Sequence, residues 1–338
     1  MRRHGIAQPA ASTEEYAQLF RNLQPVSPIH NTRPGSSPCL EHRADFDDQK
    51  LTDSWRANHT IIKGRFQRGL IGYIFQEDLE LYANAFAKPI KAFSEAQSMV
   101  WECVSHLGPV NKGVIKEETG LLMKQISPAL NRLQEAFMVY QDQIDDNWEC
   151  GWESVESQWP ELDVAEHKRH EARKQVLLRF LDAHVFATPT QLRDWSGFPL
   201  KALRAMLQEF EQEHLVEGCE IDGLGDGWRM KNAANISDAA PWQGVRVLSK
   251  ADLLCRSHES ELKARFRGLE TLCYLLIDGE FAGTVTGHWG FGAYPLDDIV
   301  VCLPNAEKQA RKAEILTAVT HAYAADEHQI LRYSGEPL

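Results

Sequence analysis

Three basic residues in the first quarter of the chain, Lys63, Arg65 and Arg68, are well suited by type and spacing to bind phosphate. They lie in and beside His59–Phe66, which with Leu70–Phe75 is apolar and β-branched and predicts a hairpin. Alternation along a strand places Lys63 and Arg65 on one face. Such a face could hold nucleic-acid phosphates, which position a duplex without reading its sequence. The alternative is a solvated strand edge kept basic to prevent strand pairing.

A second basic pair, Lys201 and Arg204, lies near the start of a predicted helix. In a helix-turn-helix the second helix enters the major groove by its N-terminal residues. Three glutamates follow at positions 209, 211 and 213 and would repel phosphate, so the alternative is a helix that serves only for packing.

Aromatic side chains at two places could stack on a base or wedge a duplex. They are Tyr73 and Phe75 in the predicted hairpin, and Trp289 and Phe291 in a glycine-rich stretch. Core packing is the more frequent use of such residues and remains the alternative.

No residues in the sequence predict a metal or cofactor site. His167 and His170 are three residues apart in the run HKRHEARK and could share an ion, but no third ligand is evident. The seven cysteines form no C-x-x-C pair, and we expect reduced thiols in a cytoplasmic protein. The net charge of −12 excludes a protein that coats nucleic acid by bulk charge, and no segment is apolar for long enough to span a bilayer.

The elements that position these residues include a pattern that occurs twice. His106–Ile144 and His184–Ile221 run in step when Gly120 is set on Gly197. Each copy predicts a short helix, a turn at the glycine, a longer helix and a strand. That order is typical of the start of a winged helix, and two copies suggest a tandem array that holds nucleic acid.

Other segments complete a mixed α+β chain. We predict helices from Ser12 to about Asn22, over Asp47–Asn58 and over Gln76–Phe86, with an irregular loop over Pro25–Pro38. The acidic tract Asp146–Asp163 is interpreted as a connector pinned by its tryptophans.

The last hundred residues predict a small antiparallel sheet or barrel. Short apolar strands are expected over Val245–Ser249, Thr271–Ile277, Glu280–Thr286 and Ile299–Leu303. A helix over Ala306–Ala325 and a last strand over His328–Tyr333 follow.

Four pieces, in this order, resemble one known family: Leu23-Gln24, Ile62–Phe75, Thr188–Gly197 and Asp278–Thr284. The chain is similar, from about Tyr16 to Leu303, to the winged-helix DNA-binding family that includes the AlkZ- and YcaQ-type DNA glycosylases. The resemblance implies tandem winged helices beside a small β-barrel, and a cleft that acts on alkylated or crosslinked purines in double-stranded DNA.

The resemblance also implies a role for Gln24, whose amide would hold a water near the sugar carbon while the glycosidic bond breaks. An N-alkylated purine is already cationic and leaves without strong acid help, so a neutral amide can suffice. The family motif is Gln-x-Gln or Gln-x-Asp, and here Val26 replaces the second polar residue. His30, Asn31 and Asp47 are the candidates for a second holder of the water. The alternative is that Gln24 caps a helix or bonds to the loop backbone.

A second departure concerns the family's RGTLH, which becomes Arg68-Gly69-Leu70-Ile71-Gly72 and loses its Thr and His. Three functions therefore stay open: a DNA glycosylase, a non-catalytic winged-helix DNA-binding protein, and a protein-interaction scaffold favoured by the negative charge. The expected fold class is α+β, with tandem winged-helix units followed by a small antiparallel β-barrel. The expected domains are three winged-helix units over 12–90, 91–150 and 151–235, and a barrel with a C-terminal helix over 236–338.

Overall fold

The computed structural model describes residues 1–28, 37–38, 40–142, 151–232, 241–290, 292–324 and 326–338. Within those ranges no helix is both long and apolar enough to cross a membrane.

The fold is mixed α+β. The helices are α1 Thr13–Leu23, α2 Asp48–Ala57, α3 Leu79–Phe86, α4 Glu95–Leu107, α5 Lys112–Thr119, α6 Met123–Glu135, α7 Val155–Gln158, α8 Arg169–His184, α9 Pro189–Ser196, α10 Leu200–Gln212, α11 Leu253–Ser257, α12 Glu259–Arg265, α13 Asn305–Ala310 and α14 Lys312–Ala322. The strands are β1 Ile61–Arg65, β2 Ile71–Phe75, β3 Val139–Asp142, β4 Gly151–Ser154, β5 Phe186–Ala187, β6 Val216–Ile221, β7 Gly225–Met230, β8 Val245–Ser249, β9 Thr271–Ile277, β10 Glu280–Thr286, β11 Asp298–Val301, β12 Arg332–Tyr333 and β13 Glu336–Pro337.

The two copies of the repeat have the same order of elements. In the first, α5 ends at Gly120 and α6 and β3 follow; in the second, α9 ends at Gly197 and α10 and β6 follow. Both glycines have left-handed backbones, with φ of 68° and 73°, which glycine adopts without the steric cost of a Cβ. The predicted helix–glycine–helix–strand order is therefore confirmed for both copies.

Each copy continues into an antiparallel strand pair. In the second copy, β6 pairs with β7, and β5 pairs with the other edge of β7. In the first copy, β3 pairs with β4, where Trp152 is 3% exposed. The prediction of a connector is thus wrong for Gly151–Gln158, which forms a strand and a short helix. Trp152 is buried in the core of the preceding unit, and Val155 is buried in the core shared with α3 and α8. The rest of that tract up to position 150 lies outside the described residues.

The predicted hairpin at the start of the chain is also present. β1 and β2 pair from Ile61↔Phe75 to Arg65↔Ile71. Ile62, Ile74 and the apolar face of α3 share one core with α8, α9 and α10, so the hairpin is held by elements about a hundred residues away or more.

The C-terminal sheet is open, which corrects the predicted barrel. Its six strands run β13-β12-β11-β10-β9-β8, and no pairing in the described ranges joins β8 to the far edge. The sheet is not purely antiparallel either, because β11 and β12 are parallel. A physical reason is visible: α14 packs beside β8, where Ile315 and Val319 are fully buried in the sheet's core.

Both faces of this sheet are buried, which explains the nearly continuous apolar sequence of β9. Cys273, Leu275 and Ile277 face the core with α14, whereas Tyr274 and Leu276 face α11 and α12. The predicted turn at Asp278 is present between β9 and β10.

Two predictions near the C-terminus were too long. The single helix over Ala306–Ala325 is two helices that meet at Arg311, whose guanidinium bonds Asp278. The last strand is limited to Arg332–Tyr333, followed by β13.

The first ten residues pack onto the body of the protein through a pair of histidines. His4 Nε2 lies 3.1 Å from His184 Nδ1, and His4 is 3% exposed. Burial is the main cause that lowers the pKa of His4 well below its usual value and the pKa of His184 to about 3.

Candidate functional site

The motif segment, Gln24–Ser27, leaves α1 and lies against β2. Val26 and Tyr73 exchange two backbone hydrogen bonds, with N···O distances of 2.9 and 2.8 Å. Gly72 permits this approach, because a Cβ at that position would lie 2.8 Å from Cβ of Pro25. The two segments that depart from the family pattern in sequence are therefore in direct contact.

The side chain of Gln24 is buried, with 2% of the residue exposed. Its Nε2 donates to Asp78 Oδ2 at 2.6 Å, and its Oε1 accepts from the backbone N–H of Phe75 at 2.9 Å. The backbone oxygen of Gln24 accepts from the Tyr82 hydroxyl at 3.2 Å. Both ends of the amide thus have protein partners, and they fix the end of α1 to β2.

Asp78 also bonds two arginines. We call Gln24, Asp78, Arg21 and Arg179 together the Asp78 cluster. Arg179 Nη1 donates to Oδ1 at 2.8 Å, and Arg21 Nη1 donates to Oδ2 at 3.2 Å. The Asp78 side chain is 8% exposed. Every polar side-chain atom of Asp78 and both polar ends of Gln24 are hydrogen-bonded, so this cluster is fully paired.

A cleft opens beside the motif segment, between the first hairpin and the C-terminal part of the chain. It is narrow, and its walls include Pro25, Val26, Glu41, Gln67, Asp252 and Arg256. It therefore combines the apolar side of the motif segment with charged residues that sequence reasoning did not single out.

One wall of the cleft contains a buried ion pair. Arg43 is 0% exposed and bonds Asp252 through two nitrogens, at 2.7 and 3.0 Å. The same guanidinium donates to the backbone oxygens of His4 and Glu41. This geometry satisfies the planar fork of arginine, and it joins the start of the chain to α11.

Glu41 lies next to this pair and has a different character. One carboxyl oxygen accepts from the backbone N–H of Ser249 at 2.8 Å. Burial, and next the charge of Asp252, raise the pKa of Glu41 to about 7. A carboxyl group that titrates near neutral pH in a cleft has the properties of a general base.

Comparison with known proteins gives this fold a family. The profile described as "DNA glycosylase AlkZ-like" matches residues 40–288, about three quarters of the chain. The chain belongs to the AlkZ-like DNA glycosylase family. Among solved structures, it is similar to the Streptomyces sahachiroi DNA glycosylase AlkZ, with a TM-score of 0.70 at 13% identity, over 98% of this chain and 96% of that one. A search of curated proteins finds no match.

The match to the AlkZ-like family includes Glu41, Arg43, Asp252 and Arg256, and it begins after Gln24. No periodicity or motif indicates the four matched residues. Glu41 and Arg43 lie in the polar run EHRADFDD, whose composition is typical of a solvated segment. Their burial arises from contacts with residues about two hundred positions away.

The basic strand of this AlkZ-like protein bonds to protein groups. Lys63 Nζ donates to Gln141 Oε1 at 2.8 Å, and Arg65 bonds Gln134, Asn131 and the Gly69 carbonyl. These bonds join the first hairpin to α6 and β3. Lys63 and Arg65 do share a face, as alternation predicted.

Arg68 and the two basic residues of α10 are more accessible. The Arg68 side chain is 36% exposed and bonds Glu259. Lys201 and Arg204 are exposed on α10, and in the described ranges neither forms an ion pair. Trp289, at 44% exposed, lies in the connection that follows β10.

The other aromatic candidates differ in their surroundings. Tyr73 and Phe75 are 2% and 6% exposed and belong to the core under α1. Phe291 lies outside the described residues, as do His30 and Asn31.

Asp47 is an exposed helix cap. Its side chain accepts from the Lys50 backbone N–H at 3.5 Å at the start of α2 and forms an ion pair with the Lys50 ammonium. His170 bonds Glu209, and no group of three or more metal-ligating side chains is found in the parts of the chain that the structure describes.

Proposed function

We propose that the protein binds double-stranded DNA and hydrolyses the N-glycosidic bond of an N-alkylated purine in the cleft. Family membership supports the class of reaction. The observation that carries the proposal is the cleft itself, where a half-buried carboxyl group, Glu41, lies beside the motif segment. Damaged double-stranded DNA is the proposed partner.

The chemistry requires little of the protein. In an N7-alkylated purine the bond between the sugar carbon and the base breaks with its electron pair going to the base, whose positive charge is thereby neutralised. Water supplies the oxygen that bonds to the sugar carbon, and the water gives up a proton to an acceptor group on the protein. In our proposal the ionised Glu41 takes that proton and stabilises the positive charge that develops on the sugar.

In this proposal Gln24 positions the motif segment, because both ends of its amide are already bonded. Asp47 caps α2 at the surface, and His30 and Asn31 remain candidates for a further contact with the water.

The wider DNA surface is proposed to follow the predicted winged-helix units over 12–90, 91–150 and 151–235. The confirmed order of helix, glycine, helix and strand in the two copies supports this interpretation. Lys201 and Arg204 are proposed phosphate contacts at the start of α10. Arg68 is a proposed contact near the cleft, and Trp289 is a proposed contact in the connection after β10. Lys63 and Arg65 are assigned a supporting role, because their bonds join the hairpin to α6 and β3.

The test is a base-release assay on duplex DNA with N7-methylguanine. We expect release by the wild type, with a rate that rises as pH increases through about 7, where Glu41 loses its proton. Glu41→Gln should lower the rate at least tenfold and remove this pH dependence, whereas Asp45→Asn, an exposed carboxylate nearby, should leave both unchanged.

A second function is favoured by one observation. Both ends of the Gln24 amide are bonded and the second motif position is the buried Val26, which is 4% exposed. These features support a non-catalytic DNA-binding protein. If the wild type shifts the same duplex in a gel but releases no base, the protein is a non-catalytic DNA-binding protein. If it shifts no duplex even at low salt, the protein-interaction scaffold is the function that remains.

A further inference from the structure

The cleft contains a buried arginine with an unusual lack of partners. Arg256, in α11, is 8% exposed and donates from Nε to the Ala251 carbonyl at 2.9 Å. In the described part of the chain, its two terminal nitrogens make no hydrogen bond, and no carboxylate oxygen lies within 4.0 Å of them. A second wall residue has the same property: the Gln67 amide, 4% exposed, has no hydrogen-bond partner among the described residues.

A buried cation without a counterion costs free energy, since it loses its hydration and gains no partner. Burial is the main cause that lowers the pKa of Arg256 to about 10, and the nearby charge of Arg68 lowers it further. Arg43 in the same cleft is the internal reference, because its guanidinium bonds Asp252 through two nitrogens. Arg43 therefore has a carboxylate in direct contact, whereas the Glu259 and Asp252 carboxylates act on Arg256 only from a distance and raise its pKa in part.

We propose that Arg256 and Gln67 together bind one phosphodiester group of the DNA backbone. The proposal rests on the DNA binding proposed above. The two terminal nitrogens of a guanidinium match two phosphate oxygens in parallel, whereas a base carbonyl offers one oxygen. Gln67 adds a neutral amide donor from the turn between β1 and β2.

In this proposal different residues of the cleft bind the nucleotide and act on it. A phosphate on Arg256 and Gln67 brings the sugar of one nucleotide into the cleft that also holds Glu41. The Glu41 carboxyl is separately bonded to Ser249 at the end of β8, on the wall that contains Arg43. Phosphate binding therefore positions the nucleotide, and the carboxyl group acts on it.

The experiment is a double-mutant cycle across the interface. The duplex carries one 2′-fluorinated N7-methylguanine nucleotide, which resists hydrolysis, and each phosphate around it is replaced in turn by an uncharged methylphosphonate. We expect one position at which the replacement weakens wild-type binding about 10- to 100-fold. Arg256→Met should weaken binding of the all-phosphate duplex equally and be insensitive to the replacement at that position.

Control variants separate this site from a general loss of charge. Arg256→Lys keeps the charge without the fork and should retain part of the effect. Lys201→Ala should weaken the binding of every duplex by the same factor. Thermal unfolding should show that Arg256→Met is folded at the temperature of the binding assay, so that its weaker binding is not caused by unfolding.

Each outcome has one meaning. A wild-type protein that binds none of the duplexes at low salt overturns the proposed function and this site with it. A wild-type protein that binds, while Arg256→Met has the same proportional effect on every duplex, overturns the phosphate site and leaves the proposed function intact.

Discussion

Two polar regions adjoin the motif segment and differ in how completely they are paired. In the Asp78 cluster, Gln24 and Asp78 have partners for both ends of the amide and both carboxyl oxygens. In the cleft, Arg256 and Gln67 have polar atoms that no described residue satisfies. Complete pairing assigns a buried polar group to the fold, whereas an unpaired polar group on the wall of a cleft is free to bind a ligand there.

The largest expected effect is on the stability of the Asp78 cluster. Asp78→Ala removes the common acceptor of Gln24, Arg21 and Arg179, and we expect the free energy of unfolding to fall by about 3 kcal/mol. Water can reach the two arginines, which are 34% and 39% exposed, so the loss stays below that of a fully buried pair. Urea unfolding measures the loss, and a change below about 0.5 kcal/mol would contradict the assignment of this cluster to the fold.

The next largest effect concerns the His4–His184 pair, which is buried and incompletely paired but has no proposed ligand. His4 Nδ1 has no partner, yet the His4–His184 pair lies in packing contacts. The pKa of both imidazoles is below the unfolded value near 6.5, so the unfolded state binds protons first as pH falls. Stability is complete above about pH 6.5 and decreases below it, by about 2 kcal/mol between pH 7 and 5 from His184, and His4 acts in the same direction.

The matched variants for this pH dependence are His184→Phe and His321→Ala. Phenylalanine cannot titrate and should reduce the loss of stability on acidification. His321 is exposed, and its replacement should change nothing. An acid dependence that persists unchanged in His184→Phe would mean that other groups cause it.

A smaller effect is expected for Gln24→Ala. The variant loses the bonds to Asp78 and to the Phe75 backbone, which should lower the free energy of unfolding by about 2 kcal/mol. If Gln24 serves the fold alone, base release measured well below the unfolding temperature should stay within about threefold of the wild type. A loss of release in a variant that remains folded would instead return the catalytic role to Gln24.

The smallest effect on stability belongs to the exposed α10. Lys201→Ala should change the free energy of unfolding by less than about 0.5 kcal/mol. It should nevertheless reduce the dependence of duplex binding on salt by about one phosphate contact. An unchanged salt dependence would remove Lys201 from the proposed DNA surface.

Local patterns explain why most elements could be predicted. The hairpin β1–β2, the turn at Asp278 and the two glycine-terminated helices each depend on residues within a short stretch. The open C-terminal sheet could not be predicted, because closure depends on where α14 packs. The sequence placed Lys63 and Arg65 on one face but gave no sign that α6 and β3 cover it.

The candidate site was predicted only in part for the same reason. Gln24 was singled out because it lies in a short motif. Glu41, Gln67 and Arg256 were missed, because their surroundings are made by segments far apart in the chain. Their incomplete pairing is a property of the folded molecule and has no counterpart in spacing or composition.

The bond between Arg43 and Asp252 spans 209 positions, and this separation has a consequence for the timing of folding. During synthesis the first hairpin emerges long before α11, so the cleft has only one wall until about three quarters of the chain is made. Closing so long a loop is slow compared with forming a helix or a hairpin. A nascent or truncated chain would thus lack the cleft, and the base release proposed above would be delayed until the chain is nearly complete.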